Sequence, residues 1–321
     1  METLLLNRNE IESLLNPLEL YPHLVEGFKL YSLNREIAPQ RANSSLPTKD
    51  SSAMILFPGL SSNVPAYTVK VHAKFPQSSP AIKGVINLHD IETGHLLAIM
   101  DSTYITAVRT GLSCAIGTHM LANSHAKKVA IIGAGVQGQL QLRSLSYLRE
   151  LTHVNVYDTN KESSKSFAHK MKEELNIPIR ICKTIQETVD DCDIIILATW
   201  SREPFLFSSM IKEGIHITTL GPDEPGKCEV SAELIKKSTF VCDDKDLSIQ
   251  MGAIGGAGLS KDDIYAEIGE IISEKKTGRI NDKQITIYGS VGLAFQDLIS
   301  AWYVYQRAKK LHKGRYMNFL G

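Results

Sequence analysis

Disulfide chemistry has little to work with in this chain. Its five cysteines, Cys114, Cys182, Cys192, Cys228 and Cys242, are odd in number, scattered and never spaced as C-x-x-C, which removes a disulfide framework and the usual zinc and redox motifs. They read as reduced, buried thiols of a cytoplasmic protein, and no metal site is expected. Charge of one sign is missing too: 35 Lys and Arg face 35 Asp and Glu, so no overall field draws the chain to nucleic acid or to an anionic membrane surface. A locally selected small ligand is the expectation, with no nucleic acid and no membrane as partner. No apolar run reaches the ~18 to 20 residues of a membrane span. The opening "METLLLNRNEIESLL" interrupts its leucines with Asn, Arg and Glu, which leaves no apolar core for a signal peptide. Repeats of solenoid length are absent, and the Ser-rich stretch 41–53 reads as a loop.

What is present is alternation. From Lys127, short apolar runs such as "KKVAII", "THVNVYD", "DIIILAT", "IHITTL" and "TFVCDD" alternate with amphipathic segments. Each run has the length of a strand buried on both faces, so the pattern predicts a parallel sheet with helices on both sides, an α/β unit of the doubly wound kind over roughly 125–290. The first 120 residues differ: "KGVINLHDIETGHLLAIMD" (83–101) reads as an antiparallel hairpin turning at Gly94, which makes this part α+β. A last helix, about 291–311, places Ala294, Leu298, Trp302 and Tyr305 on one face. Packed back onto the N-terminal part, it makes that domain discontinuous, 1–118 plus 296–321, around an inserted domain 119–295. The helix over 106–122 is the expected connector.

The strand "VAIIGAGVQG" carries Gly133, Gly135 and Gly138 in G-x-G-x-x-G register, directly before an amphipathic helix. The first glycine permits the tight turn, the second admits a pyrophosphate to the backbone, and the third lets helix and strand approach. The helix N-terminus then offers unpaired N–H groups to the anion. Asp158 ends the next strand twenty residues beyond Gly138. A carboxylate there accepts from ribose hydroxyls and repels a 2'-phosphate, so NAD is favoured over NADP; the same Asp158 also suits a cap for the helix starting at Lys161.

A second pattern concerns "HITTLGPDEPGK" (216–227), where a buried strand breaks into a turn with two carboxylates, Asp223 and Glu224. Ligands of doubly wound sheets bind beyond the carboxyl ends of strands, so this turn faces the cofactor crevice. Taken with "ITAVRTGLSCAIGTHMLA", "GAGVQG", "AEIGEII" followed by "TGR", and "YGSVGLAFQDLISA", it resembles the ornithine cyclodeaminase and mu-crystallin family over essentially the whole chain. The resemblance implies a Rossmann domain inserted into a substrate-binding and dimerisation domain, and a homodimer. It implies that Arg109, with Arg41 and Lys70, holds a substrate carboxylate, that Val291 meets the substrate, and that Asp223 is the catalytic acid. It further implies cofactor contacts at Thr110, Val136, Gln137, Thr199, Thr219, Leu220, Lys227 and Ser290, besides the three glycines and Asp158. Glu224 is left to the turn, where "GPDEPG" also has ordinary backbone reasons for its residues. Arg41 and Lys70, taken alone, are equally readable as solvated surface charges.

One departure bears on the substrate. Family members that cyclise ornithine carry a Glu two residues before a Met-Pro pair, where this chain has Ile55 in "MILFPG", with Phe57 in place of Met. Without an acid to grip a distal amine, the substrate is expected to have an apolar or short side chain. Three activities follow from the resemblance: an NAD-dependent amino acid dehydrogenase or cyclic ketimine reductase, which leads; a cyclodeaminase using NAD catalytically; and a non-enzymatic, crystallin-like NAD(P)H binder. The partner in the first two is a small amino acid or imino acid.

Overall fold

The computed structural model describes residues 2–33, 40–47, 51–75, 78 and 80–319. In chain order the elements are β1 (Thr3–Leu6), α1 (Arg8–Leu14), α2 (Pro17–Leu33), β2 (Gln40–Ser45), β3 (Ser52–Gly59), β4 (Ala66–Lys74), β5 (Ile82–Asp90), β6 (Leu96–Asp101) and α3 (Ser102–Leu121). There follow β7 (Lys128–Ile132), α4 (Val136–Leu148), β8 (His153–Tyr157), α5 (Lys161–Leu175), β9 (Ile179–Ile181), α6 (Ile185–Val189), β10 (Ile194–Leu197) and β11 (His216–Thr219). The chain continues through α7 (Ala232–Lys236), β12 (Thr239–Cys242), α8 (Lys245–Met251), α9 (Ala253–Gly256), β13 (Ala266–Glu267), α10 (Ile268–Ile272) and β14 (Thr286–Gly289), and ends in α11 (Ala294–Lys310) and β15 (Arg315–Met317).

Two compact units result, Met1–Arg109 with Leu293–Gly321, and Thr110–Gly292. The chain passes from one to the other inside α3 and returns just before α11, whereas the sequence suggests breaks at 118/119 and 295/296.

In the first unit, the described strands form one sheet in the order β15-β1-β6-β5-β4-β3-β2. The β1–β6 pair is parallel and the other pairs are antiparallel. Helix α11 lies on β3, β4 and β5 with α2 on its other side. That double cover explains a correction to the expected face. The buried positions are not a single stripe through Trp302 and Tyr305, which are half-buried; they run continuously from Phe295 to Ala301 and then through Val304 and Ala308.

In the second unit, β13-β12-β14-β11-β10-β7-β8-β9 make an all-parallel sheet. The order reverses between β7 and β10, the switch point of a doubly wound fold. Alternate residues feed opposite cores: Val129, Ile131, Ile194 and Ile196 join Leu142 and Phe167 on one face, and Ala130, Ile132, Ile195 and Leu197 join Leu234 and Phe240 on the other. Two buried faces are why these strands read as unbroken apolar runs. The "TGR" arginine has a structural duty here: Arg279 donates to the carbonyls of Leu121 and Ile215 and to the Thr286 hydroxyl, tying the end of α3 to the start of β14.

Candidate active site

The glycine loop follows β7 as the sequence predicts. Gly133 has φ +103, in the left-handed region, and a Cβ there would stand 2.4 Å from the Ala198 carbonyl oxygen; at Gly138 it would stand 2.2 Å from that of Gly133. Gly135 caps α4 with no side-chain acceptor and opens onto free space, so the first-turn N–H groups of a thirteen-residue helix have no side-chain partner at the cap. Val136 is exposed and Gln137 half-buried at that end. Asp158 accepts from the Ala134 N–H and the Asn160 N–H, both at 2.8 Å. Capping α5 falls to Asn160 instead, whose side chain accepts from Glu162 and Ser163. A backbone cradle that side chains would fill, an uncapped helix start and a carboxylate at the end of β8 fit a dinucleotide.

Beyond β10 and β11 stands the acid-bearing turn. All four residues of β11 are buried, and its polar members are satisfied sideways: His216 stands 2.9 Å from the Thr286 hydroxyl and 3.0 Å from that of Thr218, with burial holding its pKa well below the usual value. The chain leaves the ladder after Leu220, whose N–H still bonds Leu197. Asp223 accepts from Lys227 Nζ at 2.8 Å, and Glu224 lies 3.6 Å from the same ammonium and 3.7 Å from Arg202. Lys227 is buried, with its Nζ 4.2 Å from the centre of the Trp200 ring. The Asp223 side chain keeps 30 % exposure, enough to meet a ligand.

Two carboxylates that the sequence reading missed hold this region. Glu229 accepts from Thr199 and Gly221 backbone N–H groups and from the Thr199 and Thr219 hydroxyls. Asp243, at the end of β12, accepts from the Ser290 hydroxyl at 3.1 Å and from the Val291 and Gly292 N–H groups at 2.8 and 2.6 Å. The expected contacts Thr199, Thr219, Leu220, Ser290 and Val291 thus sit together at the carboxyl ends of β10, β11 and β14, with Asp223 and Lys227 in the adjoining turn. Thr110, the first residue of this unit, is buried on α3.

The expected substrate cations lie in the other unit. Lys70, on β4, is 1 % exposed and donates to Asp297 Oδ2 at 2.7 Å; Arg109, on α3, donates through Nε to Asp297 Oδ1 at 3.1 Å and through NH1 to the Gln296 side-chain oxygen at 2.7 Å. The surface-charge alternative for Lys70 is therefore wrong. Arg41, Leu56 and Lys70 form one cross-strand row, so Arg41 projects on the same face, and it adds to the positive field at Lys70. Burial, and after it the Arg109 guanidinium, brings the Lys70 ammonium down to about 7 against the pull of Asp297. Burial pushes the Asp297 carboxyl up, but Arg109 and Lys70 outweigh it and hold the group below its usual range. Beside them His72 is driven to about 3 by burial and by Lys70, which leaves a neutral imidazole. Ile55 pairs with Val71 on the opposite face from this row. The β3 residues up to Leu56 on the cation face are Ser52, Met54 and Leu56, and none is acidic; the side chain of Phe57 lies outside those described.

Asp297 and Gln296 carried one signal in the sequence, two polar residues in succession within the apolar "LAFQDLISA". Among the described residues no group of three or more His, Cys, Asp or Glu could hold a metal ion, and no helix is long and apolar enough to cross a membrane.

Known proteins share this fold. A curated alanine dehydrogenase of Archaeoglobus fulgidus is 32% identical over 330 aligned residues, covering 99% of each chain. The solved structure of an archaeal alanine dehydrogenase dimer with bound NAD superposes with a TM-score of 0.92 at 31% identity, covering 100% of both chains. That of Thermococcus litoralis Delta(1)-pyrroline-2-carboxylate reductase in complex with NADH and L-proline gives 0.91 at 31% identity, covering 98% of this chain and 99% of that one. Residues 1–312 match the model of the ornithine cyclodeaminase/mu-crystallin family. The chain therefore belongs to the ornithine cyclodeaminase/mu-crystallin family.

Proposed function

We propose that the protein is an NAD(H)-dependent oxidoreductase acting at the α-carbon of a small amino acid or of its imine, as an amino acid dehydrogenase or ketimine reductase. The observation that carries this reading is the buried cluster of Lys70, Arg109 and Asp297. Two cations share one carboxylate, so one positive charge is left to be met by an anion, and a substrate carboxylate entering a desolvated site must be paired in this way. The apolar Met54 and Leu56 on the same face suit a short or cyclic hydrocarbon side chain better than a basic one.

Bound NAD(H), held by the glycine loop with Asp158 at the ribose, supplies the hydride acceptor or donor. The chain's own residues do the rest. Arg109 and Lys70 fix the carboxylate, with Arg41 reinforcing them; Asp223 gives a proton to the substrate nitrogen or takes one from it, and Lys227 orients it by donating to Oδ1. Ser290, held by Asp243, is assigned to the nicotinamide, and Val291 to the substrate. A cyclodeaminase needs a grip on a distal amine, and nothing acidic stands on the cation face of β3.

The partner is a second copy of the chain. Ile55, Val71 and Val85 make an apolar cross-strand row on the sheet face away from α11, with Val71 39% and Val85 40% exposed, and burying such a row against its symmetry mate is the ordinary outcome. Five buried cysteines, none of them in a disulfide, favour a reducing compartment, the cytoplasm.

The test is NADH oxidation with pyruvate plus ammonia and with cyclic α-imino acids, run beside NADPH, and NAD reduction with L-alanine and L-proline, with ammonia followed throughout. Stoichiometric NADH consumption is expected. Ammonia release from L-ornithine with no net change in NADH would show a cyclodeaminase, and NADH binding with no turnover of any of these would leave a binding protein.

A further inference from the structure

Glu229 is fully buried, and all four of its hydrogen-bond donors are uncharged. Oε1 accepts from the Thr199 N–H at 2.8 Å and the Thr199 hydroxyl at 2.7 Å, and Oε2 from the Thr219 hydroxyl at 2.7 Å and the Gly221 N–H at 3.0 Å. A carboxylate has about four acceptor positions, so every one is used. Burial pushes its pKa up and these donors pull it back only in part. An apolar residue of this size would fill the space without that desolvation, so the reason for an acid lies in what it holds.

Two of the donors come from the end of β10 and two from the end of β11. The approach is close enough that a Cβ on Gly221 would stand 2.4 Å from Glu229 Oε1. The backbone completes the knot: the Phe205 and Leu206 N–H groups donate to the Glu229 carbonyl, and that of Cys228 to Ser201. Residues 199–206 and 220–228 are thereby laced together at one side chain, and Asp223, Lys227 and Trp200 all lie within these two segments. The Thr199 hydroxyl, its proton committed to Glu229 and its oxygen accepting from the Ser201 N–H at 3.2 Å, can meet a ligand only as an acceptor.

We propose that Glu229 is the positioning residue of the Asp223 turn, fixing by these four bonds where the proton-handling carboxylate stands without touching substrate itself. The proposal rests on the reading of Asp223 as the acid/base.

The variant Glu229→Gln tests it. The amide NH2 must face either the Thr199 or the Gly221 backbone N–H, and neither can turn to accept. The turn is displaced, and a misplacement on the order of 1 Å lowers kcat by about 100-fold, a larger change than in the KM for NADH, which also rises because Thr199 and Thr219 lose a partner. A second readout is independent of catalysis. In a Trp302→Phe background Trp200 is the only indole, and loss of the Lys227 ammonium from its face alters its emission and its quenching by acrylamide. Leu234→Ala, in the nearby core, controls for stability alone and is expected to lower the thermal midpoint with kcat unchanged. Should Glu229→Gln not fold, Glu229→Asp, one methylene short and able to reach only one segment, is expected to give the same split. An unchanged kcat and an unchanged Trp200 spectrum in the folded variant overturn the proposal. If the parent itself turns over no amino or imino acid, the functional reading falls and the Trp200 spectrum alone decides this one: altered supports it, unaltered overturns it.

Discussion

Replacing Asp297 by Asn tests the charge balance on which substrate binding depends. The carboxylate lies 2.7 Å from Lys70 Nζ and 3.1 Å from Arg109 Nε, with both lysine and acid 1% exposed. Each contact is worth about 5 to 6 kcal/mol of Coulomb attraction at an effective dielectric constant near 20, against several kcal/mol for stripping water from the acid. Breaking a buried pair by removing one partner typically leaves a net loss of about 3 to 5 kcal/mol, because the other charge stays buried. Asn keeps an oxygen for one cation and turns its NH2 on the other, so the full range applies. The thermal midpoint is expected to drop by roughly 10 °C in differential scanning calorimetry at pH 7. Small carboxylates such as acetate or formate should stabilise the variant more than the parent, because they replace the missing charge. The parent's contribution from this acid is present above the unfolded carboxyl pKa and lost as pH falls through the lower folded value, so the gap between the two proteins closes in acid. A variant as stable as the parent at pH 7 and indifferent to added carboxylate would refute the reasoning.

Other outcomes follow from the same geometry. Because Lys70 is brought down to about 7, the KM for a carboxylate substrate should rise above that pH, by at most about tenfold per unit, and Lys70→Met should flatten the profile. The sign for stability is the reverse: the unfolded chain holds the lysine proton to higher pH, so the parent gains stability relative to Lys70→Met from pH 7 toward 10. Asp223→Asn is expected to cut kcat by about 10²- to 10⁴-fold, with NADH affinity by fluorescence titration within a few-fold of the parent. Val71→Glu should convert a dimer to monomer in sedimentation velocity; a parent that already sediments as a monomer would remove the proposed interface.

The parallel sheet was legible because its evidence is local. A strand buried on both faces must be apolar throughout, and the turn after β7 must contain glycine where φ is +103 and where backbone oxygens crowd the Cβ position. The antiparallel sheet misleads by the same logic. In "AYTVKVHAK" alternation invites the apolar set Tyr67, Val69, Val71 and Ala73 inward and Thr68, Lys70, His72 and Lys74 outward. The structure does the opposite: the polar set is buried beneath α11. The reversal depends on Asp297, 227 residues away in sequence, which is not visible in a window of nine residues. Glu229 and Asp243 escaped notice for a related cause. An acid in the loops beyond the strands looks like turn chemistry until the N–H groups it collects from other segments are known.

All five thiols are buried and belong to the stretch Thr110–Gly292, and burial raises that of Cys192 to about 12. The other unit contains none. A thiol-specific dye therefore meets a silent protein until the dinucleotide unit opens, and the rate of labelling clocks that opening alone. Paired with calorimetry of the whole chain, this intrinsic timer can separate the lifetimes of the two halves without a single engineered probe.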